Sequence, residues 1–293
     1  MARGPVTFAE VVRVTRGGRE STSDLIAVEE PLQIVLEHGE GHARAETLLA
    51  VVMRTPGHDV DLVRGFLFAE GVISTTDDLL SVRHCLRAET AVNVVRAVLR
   101  EGVVVPSRLL ERNLMMTSAC GVCGDRTVEA LTSAGCQPIP VYPDCLQPSV
   151  IRAALGSLES SQAWFRHTGG THGAALFNRE GDLVLRREDV GRHNALDKLL
   201  GAWLMVPLVR AADCFAVVSS RASFELVQKT VRARVPVMVA IGAPTSLAIL
   251  TARRFGLTLI GFAKESRFNV YTGGERLAHE PGGSTFIDVG AAE

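Results

Sequence analysis

The sequence predicts a mixed α/β (α+β) protein: a smaller β-rich first half, then a second half in which strands and helices alternate around a partly parallel sheet. Three observations carry this reading. Beyond Pro148, apolar runs of strand length alternate with helical patterns, which stacks helices on a sheet. Before residue 107, the apolar runs are short and bounded by turn chemistry. Between the halves, residues 107–145 form a Ser/Thr/Gly-rich stretch that reads as a linker or functional loop. The expected division is a β-rich domain over 1–115, a cysteine loop and linker over 116–147, and an α/β domain over 148–293.

Residues 1–23 are polar without a clear period and predict a first strand with a loose end. Leu32–Leu36 and Thr47–Met53 are β-type runs, and His38-Gly39-Glu40-Gly41-His42 between them has hairpin-turn chemistry. Thr55-Pro56-Gly57-His58 stops the second run. Asp59 then opens a helical pattern through Val60, Val63, Phe66 and Leu67, with Gly71 as C-cap. Ala91–Leu99 and Gly102–Pro106 predict two further strands. In the second half, Ser149 caps a helix to Leu158, Gly173–Phe177 and Asp182–Arg186 are strands, and His193–Leu204 is a helix. Cys214–Val218 is a strand, Ser223–Arg232 a helix and Val237–Ile241 a strand. A helix over 246–254, capped by Thr245 or Ser246, precedes a strand at Thr258–Ala263.

With 47% hydrophobic and 22% charged residues, the chain has the composition of a folded globular protein. Lys+Arg 31 against Asp+Glu 32 gives a net charge of -1, so no global field draws it to nucleic acid or to an anionic membrane. Val235–Ala252 carries no charge, but Pro236, Gly242, Pro244, Thr245 and Ser246 interrupt it, so it reads as strand, loop and helix rather than a membrane span. The first residues lack the apolar run of a signal peptide, and the cytoplasm is expected.

Cysteines stand at 85, 120, 123, 136, 145 and 214, and only Cys120 and Cys123 are closely spaced. Two thiols separated by two residues can approach each other, share a metal, or act as nucleophile and resolving partner. Gly121 and Gly124 free the backbone to expose the sulfurs. A helix beginning near Asp125 would set its N-terminus beside Cys123 and favour thiolate. A structural zinc site would also need Cys136 and Cys145, whose spacing is poor for a four-ligand site. A thioredoxin-like pair would open a long helix directly after a strand, whereas this one sits in a loop. His38-Gly39-Glu40 matches half of a zinc-deaminase signature, but no Pro precedes Cys120, and a hairpin turn accounts for it.

Three polar clusters fall at the boundaries of α/β elements, where such sheets bind ligands. They are His167-Thr168-Gly169-Gly170-Thr171-His172, Arg187 to Lys198 with Gly191-Arg192-His193 entering a helix, and Ser219-Ser220-Arg221-Ala222-Ser223. Each offers backbone N–H groups or hydroxyls at or beside an element start, plus Arg, Lys or His, the combination that a phosphate or pyrophosphate requires. Taken singly, each is explained equally well by capping and salt bridging, and Asp197 with Lys198 by a solvated helix face. Lys264, Glu265, Ser266 and Arg267 would add a fourth wall.

Together these residues resemble the FdhD family, the sulfurtransferase accessory proteins of formate dehydrogenase. Glu30-Pro31-Leu32, Met53-Arg54-Thr55-Pro56-Gly57-His58 and Gly65-Phe66-Leu67-Phe68-Ala69-Glu70-Gly71 are similar to its N-terminal half. Cys120-Gly121-Val122-Cys123-Gly124 resembles its cysteine loop. Thr168 to His172, Glu188 to His193, Ser219 to Ser223 and Gly261 to Arg267 resemble its C-terminal half. The resemblance implies a cytidine-deaminase-like α/β domain, a homodimer, and no permanent cofactor. It further implies sulfur taken from a cysteine desulfurase as a persulfide on Cys120, with Cys123 as partner. That sulfur passes to the molybdenum (or tungsten) bis-pterin guanine dinucleotide before this substrate enters apo-formate dehydrogenase. Phe262, Ala263, Lys264, Glu265, Ser266 and Arg267 match the segment that holds the dinucleotide, with Thr171, His172, Arg192, His193, Ser220 and Arg221 around it. This chain carries Ala263 and Glu265 where the family has more basic or small residues, which leaves contact there to the backbone. An insertion chaperone that binds the cofactor without sulfur chemistry is the alternative.

Overall fold

The structure is a computed structural model and describes residues 4–85, 93–110 and 136–279. Strands β1 (Val6–Thr15) and β2 (Gly18–Ala27) pair antiparallel from Val6↔Ala27 to Thr15↔Gly18 and, among the described residues, join no other sheet. Where the sequence predicts one strand and a loose end, the chain makes a two-stranded ribbon. Most of β2 meets solvent on both faces, so no polar/apolar alternation marks it. Phe8, Val12, Val14 and Ile26 are exposed on the ribbon.

Strands β3 (Glu30–His38), β4 (Ala45–Arg54), β5 (Leu79–His84) and β6 (Val94–Leu99) form a sheet in the order β4-β3-β6-β5. The β3–β4 hairpin is as expected, with a 3-10 turn at Gly41–Ala43 in its loop. Leu32, Ile34 and Leu36 alternate along β3 toward the core. Positive φ at Gly57 (106°) and His58 (57°) turns the chain sharply out of β4, and helix α1 (Asp59–Ala69) starts where the sequence predicts. The strand expected over Gly102–Pro106 does not form. Gly102 (φ 82°) makes a turn, Val104 points to solvent, and the chain runs unpaired to the helical turn α2 (Ser107–Leu110).

In the second half, α3 (Pro148–Ser161) begins with proline at its first position and Gln147, not Ser149, as N-cap. The short α4 (Ala163–Thr168) follows, unannounced by the sequence pattern. Then come β7 (His172–Asn178), β8 (Leu183–Asp189), α5 (Arg192–Trp203), β9 (Cys214–Val218) and α6 (Phe224–Arg232). After them come β10 (Val237–Ala240), α7 (Ser246–Arg254), β11 (Thr258–Lys264) and an edge strand, β12 (Arg267–Thr272). Thr245 caps α7, its Oγ1 accepting from Ala248 N at 3.4 Å. The six strands are ordered β12-β11-β10-β9-β7-β8, with β9, β10 and β11 mutually parallel. Strand β7 runs antiparallel to both β8 and β9.

Both faces of this sheet are buried, which is why β9 and β10 are unbroken apolar runs. Phe215, Val217, Val237, Val239 and Ile260 pack on Ile151, Leu155 and Leu158 of α3. The other face, with Leu176, Ala216, Val218, Met238 and Leu259, joins α5, α6, α7, α1 and the inner face of the β4-β3-β6-β5 sheet in one continuous core. Helices α1 and α5 meet backbone to backbone. A Cβ at Gly65 would collide with the Asp197 carbonyl, and one at Gly201 with the Asp61 carbonyl. That reciprocal glycine contact joins the two sheets.

Candidate functional site

The sheet topology brings one end of every inner strand together. The C-terminal ends of β8, β9, β10 and β11 and the N-terminal end of β7 share an edge, and α5, α6 and α7 each start from it. The loops there are cross-tied. Gly173 N donates to Ser219 Oγ at 2.9 Å, Gly242 N to Ser220 O at 3.0 Å and Phe262 N to Gly242 O at 3.1 Å. Close backbone approach explains two of the glycines: a Cβ at Gly242 would lie 2.9 Å from Arg221 Cα, and one at Gly261 would lie 2.8 Å from Pro244 Cδ. Between Gly261 and Lys264 the β11–β12 register shifts, and in this bulge Phe262 adopts φ 49° with its ring 48% exposed. A bulky residue held left-handed with its side chain in solvent is strain of the kind that clusters at ligand sites.

Among the potential cations at this edge, three lie close enough to act on one another: His172 at the start of β7, and Arg192 and His193 on the first turn of α5. Burial, with Arg192 beside it, lowers the His172 pKa. Burial pushes His193 down to about 4; Lys229, Arg192 and His172 act in the same direction, while Glu225 opposes them. Both imidazoles are therefore neutral near pH 7, and Arg192 supplies the fixed positive charge.

Buried groups fix the α5 start in place. Asp189 accepts from Gly191 N (2.8 Å), Asn194 Nδ2 (3.1 Å) and Thr55 N (3.1 Å), and its Oδ2 lies 2.6 Å from Lys198 Nζ. Lys198 also donates to Thr55 O at 2.7 Å, and Val190 N donates to Thr55 Oγ1. Thus the Thr55-Pro56-Gly57-His58 turn of the first half braces the strand-end loop of the second. A neighbouring buried pair, Arg54 and Asp59, bonds through two nearly parallel hydrogen bonds of 3.0 and 2.9 Å.

Of the residues expected at the site, His172, Arg192, His193 and Arg221 stand together at the strand ends, and Phe262 stands in the adjacent bulge. Thr171, Ser220 and Ala263 are there too but turn inward. Thr171 Oγ1 donates to Glu188, Ser220 Oγ donates to Arg221 O, and Ala263 packs in the α3-side core. Their side chains are not presented to a ligand. Lys264, Glu265, Ser266 and Arg267 form the exposed β11–β12 turn. The Glu265 carboxylate reaches back over Gly156, edging an open groove with Phe165 and Arg166. Cys120 and Cys123 lie outside the described residues. Among the described cysteines, burial raises the thiol pKa of Cys136 and takes that of Cys214 to about 11, as for packed, unreactive thiols. Among the described residues, no group of three or more His, Cys, Asp or Glu is placed to hold a metal, and no helix is long and apolar enough to cross a membrane.

Sequence reasoning missed Glu225, Lys229 and the buried roles of Asp197 and Lys198. The available signal was the i, i+4 spacing of Glu225 with Lys229 on a helix that leaves the polar edge.

The sequence profile of the FdhD/NarQ family matches residues 27–278. A protein of Streptomyces avermitilis named sulfur carrier protein FdhD is 42% identical over 274 residues, covering 92% of this chain and 94% of its own. One of the same name from Anaeromyxobacter dehalogenans is 42% identical over 280 residues, covering 92% and 93%. The crystal structure of a candidate formate dehydrogenase accessory protein from Desulfotalea psychrophila shares the fold, with TM-score 0.70 at 24% identity over 93% of this chain and 99% of that one. With a family match running from the end of the ribbon to the last described residues, and relatives this similar along nearly their whole length, the chain belongs to the FdhD/NarQ family.

Proposed function

We propose that this protein is a sulfur carrier and sulfurtransferase for formate dehydrogenase maturation. Its thiolate at Cys120 attacks the terminal sulfur of a cysteine desulfurase persulfide, releasing the desulfurase thiolate and leaving a persulfide on Cys120. Attack of Cys123 on the Cys120 sulfur then forms a Cys120–Cys123 disulfide and releases the terminal sulfur at the sulfide level. That sulfur passes to the metal of the bis-pterin guanine dinucleotide, which is substrate, not resident cofactor, and a cellular dithiol reopens the disulfide. The two thiols supply both electrons, so the step balances.

The observation that carries this reading is family membership over 27–278, with relatives 42% identical that are named sulfur carriers. The strand-end site supports it. Arg192, Arg221, Lys264 and Arg267 offer positive charge near the starts of α5 and α6 and at the β11–β12 turn, which suits the pyrophosphates of a dinucleotide. The sheet order, with β7 antiparallel beside parallel β9, β10 and β11, is our reason for reading the second half as a deaminase-like α/β domain. Apo-formate dehydrogenase as recipient, a homodimeric state and a cytoplasmic site of action belong to the same proposal.

The test is peptide mass spectrometry after incubation with a cysteine desulfurase and cysteine, without reductant. Added sulfur on the peptide holding Cys120 and Cys123, absent in Cys120→Ala, is the expected result. Sulfur on Cys123 alone reverses the two roles. If no sulfur is added and Cys120→Ala still supports formate dehydrogenase, the protein is an insertion chaperone instead.

A further inference from the structure

His193 is the outermost member of a chain of polar groups that runs inward from the strand-end site. Its Nε2 lies 3.4 Å from Ser223 Oγ and 3.6 Å from Glu225 Oε2. The other oxygen of that carboxylate, Oε1, is 3.5 Å from Lys229 Nζ. Lys229 donates in turn to both oxygens of Asp197, at 2.7 and 2.6 Å. His193 and Asp197 are i, i+4 on α5, and Glu225 and Lys229 are i, i+4 on α6, so two facing helix edges assemble all four groups. Lys229 and Asp197 are buried.

A single carboxylate is enough to pair a buried ammonium. Lys229 pairs with Asp197, and a further carboxylate beside it, Glu225, extends past it to the imidazole. At 3.6 Å the contact is electrostatic rather than a hydrogen bond, and a carboxylate charge facing Nε2 favours the tautomer that carries the proton on that nitrogen. In a neutral imidazole the other nitrogen is then an acceptor, the logic by which a carboxylate fixes a catalytic or metal-binding histidine. The charged and titratable groups around His193 are His172 from β7, Arg192 on its own helix, and Glu225 and Lys229 from α6.

We propose that Glu225 is a positioning residue that holds His193 in its Nε2–H tautomer, so that Nδ1 is offered as a hydrogen-bond acceptor to the substrate held at the strand ends. Beside the Arg192 guanidinium, such an acceptor selects an anion that carries an N–H or O–H donor next to its charge. The identity of that substrate rests on the function proposed above; the tautomer does not.

The experiment is long-range 1H–15N NMR on the full-length chain labelled with 15N-histidine, between pH 6 and 8. His193 is assigned from the signals lost in His193→Gln. The expected spectrum is one neutral tautomer protonated at Nε2. In Glu225→Gln, whose amide can donate or accept, the Nδ1–H form should rise about tenfold, and Glu225→Asp should restore the original. A protonated Nδ1 in the wild type, or an unchanged tautomer in Glu225→Gln, overturns the proposal. If Glu225→Gln does not fold, Ser223→Ala decides. Retention of Nε2–H there supports Glu225, and loss of it assigns the role to Ser223. In sulfur-transfer assays, Glu225→Gln should load sulfur normally but deliver it about tenfold more slowly. If even the wild type carries no sulfur, the proposed function fails while the tautomer result stands.

Discussion

At the scale of single residues, Asp197 and Lys198 show how adjacent positions on one helix serve different ends. They point in different directions, so Asp197 pairs with Lys229 while Lys198 pairs with Asp189. Burial pushes the Asp197 carboxyl up to about 7 against the pull of Lys229. Burial alone would lower Lys229, but Asp197, Glu225 and Glu70 hold it above the ordinary lysine value. His193 gives the clearest consequence. Its pKa is about 4 when folded and ordinary, 6.5, when unfolded. Below pH 6.5 the unfolded chain therefore binds a proton that the folded one refuses, and stability falls as pH drops toward 4. At pH 5 this one group costs about 2 kcal/mol relative to pH 7.5. Asp197 acts in the opposite sense between 3.8 and about 7, so wild type and variant must be compared. His193→Gln should narrow the gap between urea midpoints at pH 5 and pH 7.5; an unchanged gap would show that His193 is not held neutral. In the sequence, Asp197-Lys198 reads equally well as a solvated face. Their burial could not be read because the partner of Asp197 lies on another helix and that of Lys198 on a strand.

At the scale of elements, the glycine contact between α1 and α5 sets a steep local cost. Gly65→Ala would drive a methyl group into a carbonyl on a helix that cannot retreat, and should destabilise by about 3 kcal/mol. Gly156→Ala faces only the end of the flexible Glu265 side chain and should be near neutral, because better helix propensity offsets the displacement. Urea titration of both variants checks the contrast; equal losses would refute it. Elements whose apolar residues all face a core were the readable ones. Cys214–Val218 matches β9 residue for residue, and the α6, α7 and β10 predictions agree to within a residue. Edge elements escaped. In β12, half-buried Phe268 and Val270 alternate with exposed Arg267 and Asn269, but Arg267 reads as part of the preceding polar loop. Strand β5 has no fully buried position, and the six-residue α4 is too short to display a period.

For the whole molecule, the two sheets share one core, with Leu32, Ile34 and Val95 in the same cluster as Leu196, Val227 and Met238. They should unfold together. Trp203 packs edge-on against Phe68 at 6.0 Å, and Trp164 stacks against His58 at 6.4 Å, so each indole senses the other half of the chain. Tryptophan fluorescence and far-ultraviolet circular dichroism should give coincident urea transitions; two separated transitions would mean that the halves are independent. The strand-end site was readable in outline because its polar clusters sit at element boundaries. Its bracing by Thr55 was not, because that contact joins residues more than a hundred positions apart. The β1–β2 ribbon belongs to neither of these sheets and meets the rest of the described chain where β2 touches α4. A strand edge ten residues long that no other described strand pairs is a template on which a second chain can assemble without limit. Arg13, Arg16, Arg19 and Glu20 crowd the far end of that arm, and with Arg13 paired to Glu20 at 3.3 Å the tip keeps a net positive charge, so two copies approaching tip to tip repel. The protein thus carries at its periphery both the shape that seeds aggregates and the charge that keeps it dispersed.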